Sequence, residues 1–214
     1  TGESLSRFVL NVALRLTGKD SKDRPRDMVI TLIGYRGSGK SSIAPRLAKR
    51  LEWSWIDSDR VVEQRAGCSI RQIFETEGES GFRKRESEVL AELLQLDRLV
   101  LASGGGAILS EENRVRMKTA GPVVWLHISV EALTKRLNRD KSGTENRPSL
   151  TGRSIGDEVA EVMAIREPLY RECASIIVDA EREWPEQVAR RSARQIDQAP
   201  GEQDPDAASA GDNR

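Results

Sequence analysis

The chain lacks an excess of charge of one sign. Among its 214 residues, lysine and arginine together number 34, and aspartate and glutamate also number 34, so the formal net charge is zero. A chain without a global basic field has no long-range attraction for nucleic acid or for an anionic membrane surface. Any anion that this protein binds must therefore be held by local geometry, and we expect neither nucleic acid nor a membrane among its partners.

Cysteine and histidine are scarce. Cys68 and Cys173 lie far apart in the sequence and follow no spacing typical of a metal site. We therefore expect two free thiols in place of a disulfide or a metal-binding pair. The single histidine, His127, lies within an apolar run and has no cysteine near it, so the pattern favours a structural or surface role over a catalytic one.

Long hydrophobic runs are also missing. The longest runs, such as residues 122–128, are far too short to span a bilayer. The N-terminus shows no apolar segment of the right length followed by a small-residue cleavage site, as a signal peptide would. We expect a protein of the reducing cytoplasm.

The chain divides into three zones by composition. Residues 1–27 hold one helical pattern and then a charged linker. The pattern consists of Leu5, Phe8, Val9, Val12 and Leu16. This short helix either docks on the core or a partner, or lies on a membrane surface. Residues 198–214 contain no aromatic and no large aliphatic residue, so we expect a disordered tail after one globular domain, residues 28–197.

Apolar runs alternate with helical patterns through the globular domain. The runs are short, and the first ends in glycine, as buried parallel strands do. They cover Met28–Ile33, Ser54–Ile56, Leu99–Ala102, Val123–Ile128 and Ile176–Val178. The helical patterns cover Ser42–Leu51, Ser87–Leu96, Glu111–Lys118, Val130–Arg139, Ile155–Cys173 and Pro185–Ile196. This order predicts an α/β fold, a three-layer sandwich in which helices cover both faces of a five-stranded parallel sheet.

The loop after the first predicted strand matches the pattern G-x-x-x-x-G-K-[ST], from Gly34 to Ser41. Its glycines, including Gly37 and Gly39, let the backbone turn tightly and direct N–H groups at a phosphate. The helix that follows adds its positive dipole end. Lys40 is suited to the β- and γ-phosphate oxygens, and the hydroxyl of Ser41 to Mg²⁺. The loop predicts a bound nucleoside triphosphate, but GTPases, ATP motors, nucleotide kinases and metabolite kinases all use it.

Acidic and glycine-rich segments follow the next two predicted strands. Asp57 and Asp59 lie at the carboxyl end of the second strand, where open α/β sheets bind ligands. One acid is suited to Mg²⁺ and the other to a hydroxyl group of a substrate. Acidic residues are also common at strand ends simply because these ends are exposed to solvent. Ser103 and three glycines, residues 104–106, follow the third strand. Such glycines indicate close approach of a ligand to backbone N–H groups.

A series of motifs joins these segments. In order, the chain carries GxxGxGKS, ID-x-D, IxxIFxxxGExxFRxxE, SGGG, RP-x-L and R-x-PLY, over roughly residues 30 to 185. The series resembles the shikimate kinase family, and the FRxxE block and the triple glycine are its most diagnostic parts. The resemblance implies a P-loop kinase fold, similar to that of nucleoside monophosphate kinases, with a mobile lid at about residues 138–152.

The resemblance also implies a reaction, in which ATP with Mg²⁺ phosphorylates the 3-hydroxyl of shikimate. The residues implied to bind ATP are Gly37, Ser38, Gly39, Lys40, Ser41, Ser42, Arg136, Arg147 and Pro185. Those implied to bind shikimate are Asp59, Arg83, Gly104, Gly105, Gly106 and Arg166. The implied catalytic residues are Lys40, Asp59 and Arg147, and the implied metal ligands are Ser41 and, through water, Asp57.

The implied roles agree with the chemistry of the side chains. Arg83 and Arg166 offer the planar fork that grips a carboxylate, with Glu86 as their anchor. Asp59 suits the ring hydroxyls and orients or deprotonates the one that attacks. Arg147, in the RP-x-L motif of the lid, would close over the phosphates and exclude water, which otherwise competes as the acceptor.

The chain departs from the family in the lid and near adenine. The RP-x-L motif places Ser149 where the family usually has an apolar contact with the substrate. The segment between Arg136 and Arg147 is about four residues longer than is usual in the family. Arg136 or Arg139 would stack on adenine, with helix register favouring Arg136. Near Pro185, where the family has a basic residue beside adenine, this chain offers two alternatives: Arg182, which is close, or Glu183 in that position.

Two other functions remain open at this stage. The first is a kinase for another small hydroxy acid such as gluconate, which would lack one of the two carboxylate-gripping arginines. The second is a non-catalytic relative, which would lack an equivalent of Lys40, Ser41 or Asp59. All of these residues are present. We expect an active, monomeric shikimate kinase.

Overall fold

The computed structural model describes residues 28–139 and 154–198. The predictions for the N-terminal helix, for Arg147 and Ser149 in the lid, and for residues 199–214 of the tail fall outside these ranges. The first two residues of the predicted lid, Asn138 and Arg139, still belong to a helix, and so does Gln198, the first residue of the predicted tail.

Five strands form one parallel sheet: β1 (Val29–Ile33), β2 (Ser54–Asp57), β3 (Leu99–Ala102), β4 (Val123–His127) and β5 (Ile176–Asp179). Their order is β2-β3-β1-β4-β5, and each neighbouring pair is parallel. Every residue of β1 and β3 is buried, which is why these strands appear in the sequence as continuous apolar runs. The predicted five-stranded parallel sheet is confirmed.

Helices connect the strands and cover the sheet. They are α1 (Lys40–Leu51), α2 (Ser58–Ala66), α3 (Ile70–Leu93), α4 (Glu111–Ala120), α5 (Val130–Arg139), α6 (Ile155–Cys173) and α7 (Pro185–Gln198), with one 3-10 turn at Ala107–Leu109. α1 packs against α7, and α5 packs against α6. The α/β architecture is therefore the predicted one. Within the described ranges, no helix has the length and apolarity that a membrane crossing requires.

The connection between β2 and β3 differs most from prediction. α2 was not predicted, and α3 begins at Ile70, whereas a helix was predicted only from Ser87. The apolar residues Ile70, Ile73 and Phe74 did show helical spacing, but no helix was predicted there. Gly78 explains the second difference, because its φ of 71° and ψ of −174° are non-helical and interrupt the repeat inside α3. The start of α3 did carry a signal, since Ser69 and Gln72 form a capping box.

The scarce residues take the structural roles expected of them. Cys68 and Cys173 are both free thiols. Burial raises the pKa of the Cys173 thiol to about 11, so it stays protonated near neutral pH. His127 lies edge-on to Trp125, with ring centroids 4.9 Å apart, which confirms a packing role for the single histidine.

The carboxyl ends of the three neighbouring strands β2, β3 and β1 meet at one edge of the sheet. β1 leads into the phosphate loop, β2 ends at Asp57, and β3 leads into Ser103 and the three glycines. Ser103 ties the glycine segment to β1, because its backbone N–H and its hydroxyl both donate to the Leu32 carbonyl, at 3.1 and 3.0 Å. The topology thus brings the predicted donor and acceptor segments together.

We predict that Gly78→Ala lowers the free energy of unfolding by about 1–3 kcal/mol, because the conformation at this residue is open almost only to glycine. No atom lies within 4 Å of the added methyl group, so the cost is one of backbone strain alone. Urea denaturation measures the change. Gly156→Ala in α6 is the matched control, since its methyl group would meet Thr134 at 3.5 Å and Ser154 Oγ at 4.0 Å, both ordinary contacts, and helix propensity favours alanine. Equal stability of Gly78→Ala and the unsubstituted chain would contradict the strain argument.

Candidate active site

The phosphate loop connects β1 to the first turn of α1. Gly39 is the N-terminal cap residue of α1 and has a φ of 96°, a left-handed conformation that favours glycine. Its carbonyl accepts from Ser42 N at 3.0 Å and from Ile43 N at 2.9 Å, while Ser38 N donates to Tyr35 O at 3.1 Å. This turn sets the free N–H groups at the start of α1 beside the loop, which is the arrangement that binds phosphate.

Lys40 is the cation at the centre of this loop. Its side chain is buried, and Nζ donates to the carbonyls of Gly34 at 2.7 Å and Tyr35 at 3.0 Å and to Ser38 Oγ at 3.5 Å. These contacts hold the ammonium group against the inner side of the loop. A cation in this place neutralises the charge of a phosphate chain bound to the loop N–H groups.

Ser41 and Asp57 form a hydrogen-bonded pair of oxygen-bearing side chains next to Lys40. Ser41 Oγ donates to Asp57 Oδ2 at 2.6 Å, and Asp57 Oδ1 accepts from Asp59 N at 3.0 Å, capping α2. Mg²⁺ prefers such oxygens and usually takes one or two from the protein. No cluster of three or more histidine, cysteine or acidic residues suited to a metal occurs in residues 28–139 and 154–198. The pair therefore fits an ion that shares its coordination with phosphate and water.

Arg83 lies on α3 and is held by two carboxylates. Nη1 donates to Glu86 Oε2 at 2.7 Å, and Nη2 donates to Glu79 Oε1 at 3.1 Å. The Glu86 side chain is only 3% exposed, so this ion pair is largely out of water. Burial by itself lowers the pKa of Arg83. The carboxylates of Glu86 and Glu79 raise the pKa by more than burial lowers it, so the net shift is upward. The guanidinium group keeps its charge and a fixed position.

The glycine segment lies against the side chains of this site. A Cβ atom on Gly104 would overlap the Glu86 carboxylate and lie 2.9 Å from Asp59 Oδ1. A Cβ atom on Gly106 would overlap the Arg83 guanidinium group, 2.6 Å from Cζ. Gly104 N already donates to Ser58 Oγ at 3.0 Å. At these two positions an added side chain would have to displace Glu86 or Arg83, which is a second reason for glycine beside the predicted approach of a ligand.

α6 supplies the second arginine of the site. Arg166 Nη1 donates to the Gly105 carbonyl at 3.3 Å, and its guanidinium carbon lies 5.9 Å from the centroid of the Tyr35 ring. Tyr170, one turn later, donates its hydroxyl to the same carbonyl at 2.5 Å. Burial raises the pKa of this phenol, so it stays protonated and remains a donor. Sequence reasoning assigned no role to Tyr170, although its spacing of four residues from Arg166 puts both on one helix face.

Arg136 on α5 joins the phosphate loop to the segment that leads into α7. It donates to the carbonyls of Gly37 at 3.3 Å, Ala180 at 2.8 Å and Glu181 at 2.9 Å. Arg139 is exposed, one turn further along α5. Pro185 begins α7. Arg136 is thus the better ordered of the two arginines, and its stacking on adenine stays a prediction.

The residues after β5 differ in their surroundings. Arg182 is exposed, whereas Glu183 is partly buried and pairs with Arg191 on α7. The glutamate is therefore engaged within the protein. The exposed arginine is the one of the two that can turn toward a ligand.

These features define a class of protein. The five-stranded parallel sheet, the phosphate loop at the end of β1, and the acids and arginines at the same sheet edge are those of a P-loop kinase for a small molecule. A protein-family model described as shikimate kinase matches residues 36–197. The chain belongs to the shikimate kinase family.

Individual relatives agree with this family. A shikimate kinase from Nitrosospira multiformis is 41% identical over 177 residues, which cover 83% of this chain and 89% of that protein. One from Pseudomonas aeruginosa is 41% identical over 171 residues, covering 80% of this chain and 97% of that protein. The solved structure of an Acinetobacter baumannii shikimate kinase in complex with shikimate superposes with a TM-score of 0.75 and 38% identity, covering 80% of this chain and 93% of that one.

A more distant structure shares the fold alone. A gluconokinase from Sinorhizobium meliloti matches with a TM-score of 0.50 and 16% identity, covering 82% of this chain and 94% of that one. The similarity confirms the kinase architecture and carries no information about the acceptor.

We predict that Gly106→Ala lowers the free energy of unfolding by about 1–3 kcal/mol, because the methyl group would displace the Arg83 guanidinium group from Glu86. Thermal or urea denaturation measures this loss. In an Arg83→Ala background the obstructing group is absent, so the same glycine substitution should cost much less. Additive effects in this double-mutant cycle would show that the contact with Arg83 is not the reason for the glycine.

Proposed function

We propose that this chain transfers the γ-phosphoryl group of ATP to the 3-hydroxyl of shikimate, giving 3-phosphoshikimate and ADP for the biosynthesis of chorismate and the aromatic amino acids. The observation that carries the proposal is the grouping of Arg83, Arg166 and Asp59 around the glycine segment, next to the phosphate loop. Two fixed cations and one acid match an acceptor with one carboxylate and several hydroxyls.

The two arginines would grip the carboxylate of the acceptor. Glu86 and Glu79 hold Arg83, and the Gly105 carbonyl holds Arg166, so each guanidinium group is oriented before the acid arrives. An oriented fork loses less freedom on binding than a mobile lysine would. The backbone of Gly104, Gly105 and Gly106 would then contact the ring.

Asp59 would orient the attacking hydroxyl and accept its proton. It follows the cap residue of α2, and one of its carboxylate oxygens lies against Gly104, on the acceptor side of the site. Phosphoryl transfer requires positioning and charge neutralisation more than covalent help from the protein. One acid beside the acceptor is therefore sufficient for the proton.

The donor side would be held by the loop and its neighbours. The backbone of Gly37, Ser38 and Gly39, with Lys40 and the hydroxyls of Ser41 and Ser42, would bind the phosphates of ATP. Arg136 and Pro185 would flank adenine. Arg147, outside the described residues, would close over the phosphates.

Mg²⁺ fits the oxygen pair of Ser41 and Asp57, with Asp57 acting through water. When bound, the ion neutralises charge on the phosphate oxygens during transfer. Ser41 and Asp57 lie within hydrogen-bond distance of each other, so one ion with its water shell would be within reach of both. We also propose that the enzyme acts as a monomer in the cytoplasm, where ATP is at hand and Cys68 and Cys173 stay reduced.

An acceptor assay tests the proposal directly. ADP release is measured with Mg-ATP and shikimate, and compared with gluconate, with nucleoside monophosphates and with no acceptor. We expect turnover with shikimate and little with the others. Turnover that needs no shikimate, or that is faster with gluconate, would overturn the assignment.

We predict that Asp59→Asn lowers kcat by at least about 100-fold while the Kd for ADP changes less than about threefold, because the acid acts on the acceptor hydroxyl and not on the nucleotide. Steady-state kinetics and calorimetric titration with ADP measure the two quantities. A loss of ADP binding as large as the loss of turnover would place Asp59 on the donor side instead.

We predict that Arg83→Ala weakens shikimate binding by about 2–5 kcal/mol, the cost of removing one partner from a buried, hydrogen-bonded charge pair. Titration with shikimate measures the change. Arg85→Ala is the matched control on the same helix, because Arg85 pairs with Glu77 at 2.8 Å on the exposed surface. We expect the control to change the affinity less than about threefold. Equal effects of the two substitutions would show that the carboxylate site is misplaced.

A further inference from the structure

α6 contacts both loops of the site along its length. Glu158 in its first turns meets the phosphate loop, whereas Arg166 and Tyr170 meet the glycine segment at Gly105. At about 100° per residue, these three residues fall within roughly 120° of the helix circumference. One helix therefore touches the predicted donor loop near one end and the predicted acceptor loop near the other.

Glu158 reaches the phosphate loop through an ion pair with Arg36. Arg36 Nη2 donates to Glu158 Oε1 at 2.9 Å, and the two side chains are 22% and 2% exposed. Arg36 is part of the loop itself, directly before Gly37. A charge pair this far from water holds its geometry tightly, because a change that separates the partners leaves a charge without compensation.

Arg36 also lies at the junction of the two loops. Its backbone N lies 3.3 Å from the place that a Cβ atom on Gly105 would occupy. Its guanidinium carbon is 5.9 Å from the centroid of the Tyr35 ring, the same distance at which Arg166 approaches that ring. Tyr35 is thus contacted by one arginine from its own loop and one from α6.

The proposed function gives no role to Arg36 or to Glu158. None of the roles given to the loop requires an arginine at residue 36, since the phosphate contacts come from the backbone, Lys40 and the hydroxyls. Arg36 Nε is buried and has no hydrogen-bond partner in the part of the chain that the structure describes. A buried donor of this kind is unfavourable, so its retention requires a reason.

We infer that the Arg36–Glu158 ion pair is a positioning device, which fixes α6, and with it Arg166, against the phosphate loop so that the acceptor is held in line with the phosphoryl donor. The inference rests on the proposed function for its kinetic consequence. Arg36 and Glu158 are positioning residues, since they act through the loop and through Arg166.

Loss of the ion pair should therefore lower the rate of turnover much more than it weakens the binding of either ligand. Without the ion pair, the loop still binds ATP and Arg166 still grips the acid, so each ligand keeps most of its affinity. Their relative placement becomes looser, and a misplacement of about 1 Å can reduce the rate of transfer by about 100-fold. A role limited to overall stability would instead lower the melting temperature and leave kcat of the folded enzyme unchanged.

The test compares three variants with the unsubstituted chain in the shikimate-dependent assay. We expect Glu158→Gln to lower kcat by about tenfold or more, with both KM values within about threefold. Arg36→Lys keeps the positive charge but not the planar fork, so its kcat should fall less than that of Glu158→Gln. Glu167→Gln is the matched control on the same helix, because its pair with Arg171 at 3.1 Å is exposed, and we expect no change in kcat.

Amide hydrogen exchange with ADP supplies a second measurement that needs no turnover. ADP at the phosphate loop should slow exchange in the first turns of α6 in the unsubstituted chain, and Glu158→Gln should abolish this slowing. If Glu158→Gln does not fold, Arg36→Lys and Arg36→Gln are measured in the same way, since Arg36 is the more exposed partner.

Three outcomes would overturn the inference: a kcat for Glu158→Gln within about twofold of the unsubstituted value, a loss confined to KM, or ADP protection of α6 that survives the substitution. If the unsubstituted chain shows no turnover with shikimate, the proposed function fails by itself. The exchange measurement then still decides whether the ion pair couples α6 to the loop.

Discussion

The parallel pairing of β1 with β3, and of β3 with β2, is the constraint on which the whole site depends. Because these strands run in one direction, their carboxyl ends lie side by side, and the segments that follow them are forced together. The phosphate loop, Asp57 and Asp59, and the glycine segment are far apart in the sequence, yet they share one sheet edge. Ser103 reinforces this by tying the glycine segment to β1.

Local charge, and not total charge, makes this edge suitable for anions. The chain as a whole is neutral. At the site, Lys40 rests on carbonyl oxygens of its own loop, Arg83 on Glu86, and Arg166 on the Gly105 carbonyl. Each cation is thus oriented by a partner within the protein. The ordering of long side chains takes place during folding, and a ligand then meets groups that are already in place.

Sequence reasoning succeeded where the pattern is local and failed where it is interrupted. The strands and the helices α5 and α6 followed from their apolar periodicity, and the phosphate loop from its glycines. The first half of α3 was not predicted as a helix, although its apolar residues at 70, 73 and 74 show helical spacing, because Gly78 is non-helical and no single period continues past it. The glycines at 104 and 106 were recognised, but for an incomplete reason. Their closest neighbours are Glu86 and Arg83, whose approach depends on how α3 packs beside β3.

The sequence by itself determined which residue types are offered for this chemistry: a loop suited to phosphate, acids suited to a metal or a hydroxyl, and, through the family resemblance, arginines suited to a carboxylate. These depend on residue types at short spacing, which a linear pattern preserves. Only the tertiary structure decided which groups meet. Arg36 and Glu158 are 122 residues apart and belong to no common motif, yet they form a partly buried ion pair. Such a contact depends on the register of the sheet and the placement of α6, which arise only when the whole domain packs.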